Sequence, residues 1–320
     1  MPVTLKDLAS LANVSTSTVS LALRGSKKIK LATREKISNI ANKLGYNPCQ
    51  QAVGLKAQRS NLIAYLLTDI EGSFFNKILK GINTRIVNYG YGLMVAIVAS
   101  EEEQEKQLKL FLDKRIEGLI ISGNYGSHSE LVMQIEQKKI PVVSTVAEYV
   151  KDISVSSVNV DNYKGGCIAA EYLIELGHRH LLWASCEREM SNRYIGVLET
   201  AQKYKNITVR KSLNLQQLHQ VMLSQNRPTG IISYSDIDAI KIRYELERLG
   251  LKVPEDVSLI GFDDIDLASM KEFNFTTIAQ PQEKIGQLAL ELLNKRINGS
   301  VPEQVELEPK LIIRSSTVAI

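Results

Sequence analysis

Residues 3–25 read VTLKDLASLANVSTSTVSLALRG, and this stretch begins two helices in the same way. Thr4 can cap the first, with Asp7 three residues on and Val3/Leu8 as an apolar bracket. Ser15 can cap the second, with Thr18 three residues on and Val14/Val19 around it. A hydroxyl accepting from an orphan backbone N–H, next to an apolar staple, is a specific helix start. Only Asn13 to Ser15 separate the two helices, so the spacing predicts a helix-turn-helix. Leu5, Leu8, Ala9 and Ala12 form one apolar stripe, and Val19, Ala22 and Leu23 form the other. Ser17, Ser20, Leu21 and Arg24 are left on the opposite face of the second helix, with Thr16 in its exposed first turn. Hydroxyls can meet base edges and phosphates, Arg24 can reach phosphate or guanine, and Leu21 can touch a thymine methyl.

Charge supports this assignment. Residues 1–60 hold ten Lys/Arg against Asp7 and Glu35, a net +8, within a chain whose total is +4. The body is therefore mildly acidic. A small basic head on such a body is the electrostatic footprint of a nucleic-acid module attached to something else. At 320 residues, with 44% hydrophobic and 23% charged residues, the chain can bury a full core in two or three domains. No apolar run approaches a membrane span, and no secretory signal is read at the amino terminus. Cys49, Cys167 and Cys186 are odd in number and lack metal-like spacing, which implies free thiols in a reducing cytoplasm.

Beyond the second helix lies a basic loop, SKKIKLA. A third helix is expected from Thr33 to Leu44, with Ile37, Ile40, Ala41 and Leu44 inward and Gly45 as its stop. Asn47–Pro48 interrupts the chain. CQQAVGLKAQRS follows, long enough for two to three helical turns but too short to hold a helix alone. From Leu62 the pattern alternates. LIAYLL, LMVAIV, GLIIS and PVVST read as buried strands, with helices near 74–89, 101–114 and 129–138. A second series reads SVNV, HLLWA, GIIS and SLIGF, with helices near 163–176, 192–204 and 236–249. Such alternation implies parallel sheets covered by helices on both faces. About 260 residues exceed one Rossmann-like sheet. The fold expected is an N-terminal all-α helix-turn-helix head plus an α/β core of two Rossmann-like parallel-sheet subdomains. Thr276–Pro281, a helix at 283–298 and LIIRSST suggest that the chain crosses back between the two.

The sequence carries no phosphate-binding loop, no dinucleotide fingerprint and no nucleophile elbow. His178 and His180 flank Arg179 in a turn without a carboxylate or cysteine at ligand spacing, so no metal is implied. Nor is a catalytic set found, and an enzyme is not expected. Polar groups at strand ends say more. Asp69 precedes Phe74–Phe75, Asn124 follows GLIIS, Asp161–Asn162 follows SVNV, Ser235–Asp236 follows GIIS, and Asp263–Asp264 follows SLIGF, while Arg193 opens a helix. Ligands in open α/β sheets bind at the carboxyl ends of strands, so a polar small-molecule cleft between the halves is expected.

The chain resembles the lactose-repressor (LacI/GalR) family of bacterial transcription regulators. The resemblance runs over nearly its whole length. It rests on VTLKDLASLANVSTSTVSLALRG, TREKISNIANKLGYNP, AVGLKAQRSNLIAYLL, IELGHRH, KVPEDVSLIGFDD and TTIAQPQEKIGQLALELL. The resemblance implies a head at 1–48, a hinge helix at 49–60 and an effector-binding, dimerising core at 61–320. Within that core one subdomain takes about 61–161 plus 283–308, and the other about 162–282 plus the last strand. It assigns base reading to Thr16, Ser17 and Leu21, and phosphate contact to Thr4, Ser15, Thr18, Ser20, Arg24 and Thr33. Leu55 would wedge the minor groove open, and Ala52 would support the hinge. Arg193 and Asp263 fall at positions that often hold sugar hydroxyls. With Asp69, Phe74, Phe75, Asn124 and Asp236 they make the expected effector site. The partners implied are a pseudo-palindromic duplex operator, a second copy of the chain and a small-molecule effector, a sugar or related metabolite, with no cofactor. The family pattern is broken at Val53–Gly54 in the hinge, at Val146 and Ser235 in the cleft, and by a stretch at 206–217 that reads as a shortened loop. A periplasmic-type binding protein shares the core architecture; the basic head and missing signal argue against it.

Overall fold

The computed structural model describes residues 3–23, 25–46, 60–67, 73–98, 100–123, 134–147, 155–186 and 191–320. The chain divides into two units, Met1–Ser60 and Asn61–Ile320.

In the first unit, helices α1 (Leu5–Ala12), α2 (Thr16–Leu23) and α3 (Leu31–Lys43) pack on one another. Their core is Leu8, Ala9, Ala12, Val19, Ala22, Ile37 and Ala41. Helix α1 begins with a full capping box. The Thr4 amide donates to Asp7 Oδ2 at 2.8 Å, and the Thr4 hydroxyl accepts from the Asp7 amide. Asn13, in the left-handed region at φ 55°, closes its end. Ser15 Oγ accepts from the Thr18 amide at 3.2 Å, which starts α2 as the spacing predicts. Helix α3 begins two residues earlier than expected. Leu44 is also exposed rather than inward, because it lies past the last helical turn. Lys36 Nζ donates to the Ala12 carbonyl at the end of α1, so a cation meets a helix carboxyl terminus.

The second unit contains two six-stranded sheets. The first runs β2 (Gly92–Ile97), β1 (Leu62–Leu67), β3 (Gly118–Ser122), β4 (Val142–Thr145), β5 (Ser156–Val160) and β11 (Gln304–Leu307), and every pairing is parallel. The second runs β7 (Thr208–Ser212), β6 (His180–Ala184), β8 (Gly230–Ser233), β9 (Ser258–Asp263), β10 (Thr276–Ala279) and β12 (Lys310–Ile312). Here only β12 is antiparallel. Strands β1, β3 and β8 are buried almost end to end, as parallel strands covered on both faces must be. Around the first sheet lie α4 (Ser73–Ile86), α5 (Glu101–Asp113) and α10 (Gln282–Ile297); around the second lie α6 (Asn162–Glu175), α7 (Asn192–Gln202), α8 (Leu215–Met222) and α9 (Asp236–Arg248).

The structure adds to the sequence reading in three places. SVNV, which the alternation put at the head of the second series and the resemblance put within the first subdomain, is strand β5 of the first sheet, and the chain crosses over just after it. Edge strands β7 (TVRKS) and β11 (QVEL) escaped notice because each is largely exposed and carries charge rather than a continuous apolar run. The stretch at 206–217 holds β7 and the start of α8, which Asn214 caps by accepting from the Gln217 amide.

The two sheets share one packing device. In α4/α10, a Cβ on Gly286 would lie 2.0 Å from the Ile78 carbonyl oxygen, and one on Gly81 would lie 2.1 Å from that of Glu283. In α6/α7, Gly166 and Gly196 meet the Arg193 and Tyr163 carbonyls in the same manner. Each sheet thus carries a pair of helices whose backbones touch through glycine. Each pair ties a crossover segment to its sheet.

Candidate functional site

In the first unit, Thr16 and Ser17 are exposed on α2, and Ser20 and Leu21 are half-buried on the same helix. Their face lies opposite Val19 and Ala22, which are buried against α1 and α3. Thr33 is half-buried in the first turn of α3. Ser15 Oγ lies 2.7 Å from Ser17 Oγ and 2.8 Å from Thr18 Oγ1, so three hydroxyls meet at the α2 amino terminus. Thr4 is committed differently. Its hydroxyl donates to Asp7 at 2.7 Å while accepting from the Asp7 amide, so its polar capacity serves the cap. These bonds hold the exposed Asp7 carboxyl below its ordinary range. Arg24, Ala52 and Leu55 lie outside the described residues, as do Asp69 and Asn124 of the expected effector set.

In the second unit, polar groups converge where β9 ends and three helices begin. Arg193, at the start of α7, is buried. Its Nε donates to Asn162 Oδ1 at 2.8 Å, and its Nη1 donates to the Tyr234 carbonyl and lies 3.5 Å from Asp263 Oδ1. The guanidinium also stacks on Phe262, 3.6 Å from the ring centre, and faces Tyr234 at 4.7 Å. An arginine held by acceptors and aromatic faces is fixed before any ligand arrives. Asp263 has φ 112° and Asp264 φ 56°, two successive left-handed residues that are not glycine. Such conformations are costly and cluster at functional sites. The turn is held by Gln280, whose Nε2 donates to Asp263 Oδ1 at 2.6 Å, and by Gln282, whose Nε2 donates to the Asp263 carbonyl. Arg314 Nη2 anchors Asp264 Oδ1 at 2.6 Å. Asn162 was legible as a polar group after SVNV, whereas Tyr234, Gln280 and Gln282 were not. The signal available was position: three of the four lie at helix starts or on the β10–α10 crossover.

Asp236, expected beside the ligand, has its carboxyl turned into the interior. It is fully buried. Oδ1 accepts from the Thr277 hydroxyl at 2.6 Å, and Oδ2 accepts from the Ile265 amide at 2.9 Å. Burial, reinforced by the nearby Asp263 carboxylate, pushes its pKa up to about 8. A Cβ on Gly261 would stand 2.0 Å from its Oδ1, so that glycine makes room for the carboxyl. Asp236 therefore lies behind the site and supports it.

On the first sheet, Phe74 and Phe75 open α4 with their rings edge to face at 5.2 Å, and Phe74 packs against core residues of both sheets. Tyr65 and Ser122 share a hydrogen bond of 2.7 Å, and Ser122 continues to Thr145. This buried hydroxyl chain crosses β1, β3 and β4 toward their carboxyl ends. Next to it Val146 adopts φ 51°, a region β-branched side chains rarely enter. His178 is structural: its ring nitrogens contact Thr229, Ser258 and the Val318 carbonyl, and burial lowers its pKa. Among the described residues there is no cluster of three or more His, Cys, Asp or Glu able to hold a metal, and no helix long and apolar enough to cross a membrane.

A helix-turn-helix unit, combined with two parallel sheets that gather an arginine, a carboxylate and aromatic faces at a strand end, defines a DNA-binding regulator with a small-molecule receptor as its body. Comparison with known proteins agrees. Residues 4–49 match the bacterial regulatory proteins of the lacI family, and residues 170–317 match a periplasmic binding protein-like domain. The chain is 31% identical to the HTH-type transcriptional repressor CytR of Escherichia coli, over 99% of its own length and 97% of the relative. It is 28% identical to the repressor PurR of Vibrio vulnificus over 99% of both chains. Its fold matches the Lac repressor dimer bound to operator and an anti-inducer, with a TM-score of 0.86, 24% identity and full coverage of both chains. The chain belongs to the LacI family of bacterial regulatory proteins. These relatives are regulators, not enzymes.

Proposed function

We propose that this chain is a cytoplasmic transcriptional repressor that binds a pseudo-palindromic operator as a homodimer and changes its operator affinity when a small polar effector binds its core. In this reading residues 1–48 contact DNA, 49–60 join the head to the body, and 61–320 bind effector and dimerise. Thr16, Ser17 and Leu21 meet base edges, while Ser15, Thr18, Ser20 and Thr33 meet phosphates. The observation that carries the reading is the capped α2, whose hydroxyl-rich face stands opposite a complete three-helix core in a segment of net charge +8. Arg193 and Asp263 hold the effector, together with Phe74 and Phe75 at the start of α4. A fixed guanidinium, a carboxylate and aromatic faces suit a polyhydroxylated ligand such as a sugar or related metabolite.

The relatives support the same reading: two are named as transcriptional repressors, and the Lac repressor structure holds operator and an anti-inducer. The mechanism is linkage. An effector that prefers one arrangement of the two sheets shifts the equilibrium toward it, and operator affinity changes by the same coupling free energy. A gel-shift against fragmented genomic DNA tests the proposal. A few fragments are expected to be retained at moderate salt against excess competitor, with affinity falling steeply as salt rises. Uniform, competitor-sensitive binding to all fragments would reject it.

A further inference from the structure

The turn at the end of β9 touches both sheets. At its near end Asp263 sits beside Arg193. At its far end it reaches α4, which packs on the first sheet: the Asp266 amide donates to Ser73 Oγ at 2.9 Å, Lys77 Nζ donates to the Asp264 carbonyl at 3.3 Å, and Lys77 pairs with Asp266 Oδ1 at 2.7 Å. Between the two ends the Ile265 amide is bonded inward, to Asp236. Asp236 in turn is fixed from β10 by Thr277 and has a place only because Gly261 lacks a side chain.

Four residues with two strained φ angles would ordinarily relax independently at each end. A fully buried acceptor at the middle residue stops them from doing so, because leaving the Ile265 amide or the carboxyl unsatisfied in the interior is costly. We propose that Asp236 is a positioning residue that makes Asp263–Asp266 a rigid lever, carrying a change at the Arg193–Asp263 pair to the Ser73–Lys77 anchor on the other sheet. The inference rests on reading that pair as the effector site, and it gives the site a defined route between the sheets. Lys77 and Asp266 are partly exposed, so their ion pair alone contributes little. The Asp236 bond gives the route its stiffness.

Amide hydrogen exchange on the full chain, without added ligand, tests the lever. In Asp236→Ala the Ile265 and Asp266 amides are expected to exchange on the order of tenfold faster, the size of one lost internal hydrogen bond. The amides of β8 and of β9 up to Phe262 should stay unchanged. Asp236→Asn should restore protection, since an amide can accept from Ile265 and donate to Thr277. Thr277→Val is the second variant, should the alanine variant not fold, and is expected to produce the same local acceleration at lower amplitude. Asp263→Ala should alter exchange at Asp266 in the native background and lose that influence when combined with Asp236→Ala. Uniform acceleration across the second sheet would mean a merely structural role, and an unchanged Asp266 amide would mean no lever; either overturns the proposal. The measurement is independent of DNA binding, so failure of the gel-shift would reject the regulator reading and leave the exchange result standing.

Discussion

Asp236 and Arg193 show how two charged residues on one sheet divide their tasks. Arg193 is held in place by acceptors and aromatic rings. Asp236 sits where the neutral acid is favoured, with a pKa near 8 caused first by burial and then by Asp263. The consequence for stability has a definite sign. In the unfolded chain an aspartate ionises near pH 4, whereas the folded chain retains the proton until about pH 8. The folded state therefore binds the extra proton between those values. Its contribution is fully present below about pH 4 and is lost as pH rises to about 8. Asp263 and Asp264 face the group with negative charge, while Arg193 and Arg314 pair with those two. Urea denaturation from pH 5 to 8 should show stability falling with pH in the native chain, and a flatter profile in Asp236→Asn. Identical slopes would mean that Asp236 is already ionised at neutral pH. The strand-end aspartates were legible as polar punctuation after apolar runs. Which of them lies beside Arg193 and which is buried was not, because that depends on what the rest of the fold packs against each.

Helix starts were legible in the sequence because a cap is local: Thr4 with Asp7, and Ser15 with Thr18, form from residues three apart. Buried strands were legible for a related reason, since a run such as GLIIS has no solvent face in any register. Edge strands β7 and β11 were not, because half of each faces water and their pairing partners are distant in sequence. The glycine-packed helix pairs were equally hidden. Gly286→Ala would force its Cβ against the Ile78 carbonyl, and neither backbone can yield without moving a helix. We expect a loss of about 1–3 kcal/mol or more, the range for overpacking a close interface, read as a lower urea midpoint. Wild-type stability in that variant would mean that α4 and α10 are free to separate.

At the scale of the whole molecule, the chain passes between the two sheets at 161–162, at 280–282 and after β11. The lever from Asp236 adds a non-covalent link to those three covalent ones. The first sheet ends in strand β2, whose outer edge has no partner among the described strands and whose Val95 and Ile97 are exposed on one face. Edge strands of this kind are normally charged, bulged or covered. We propose that in the homodimer a second copy covers this one. Val95→Glu combined with Ile97→Glu is expected to shift sedimentation from dimer to monomer without loss of helical signal; an unchanged dimer would place the interface elsewhere. The sequence by itself determined the three-helix head, the alternation of strand and helix, and the division into a basic reader and a larger α/β body. All of these follow from caps, periodicity and charge, which act over a few neighbouring residues. Only the tertiary structure decided that β11 flanks SVNV at the edge of the first sheet, that Asp236 is buried behind the β9 turn, and that this turn reaches across to Ser73 and Lys77. Those outcomes depend on groups up to nearly two hundred residues apart, whose mutual burial exists only once both sheets have formed.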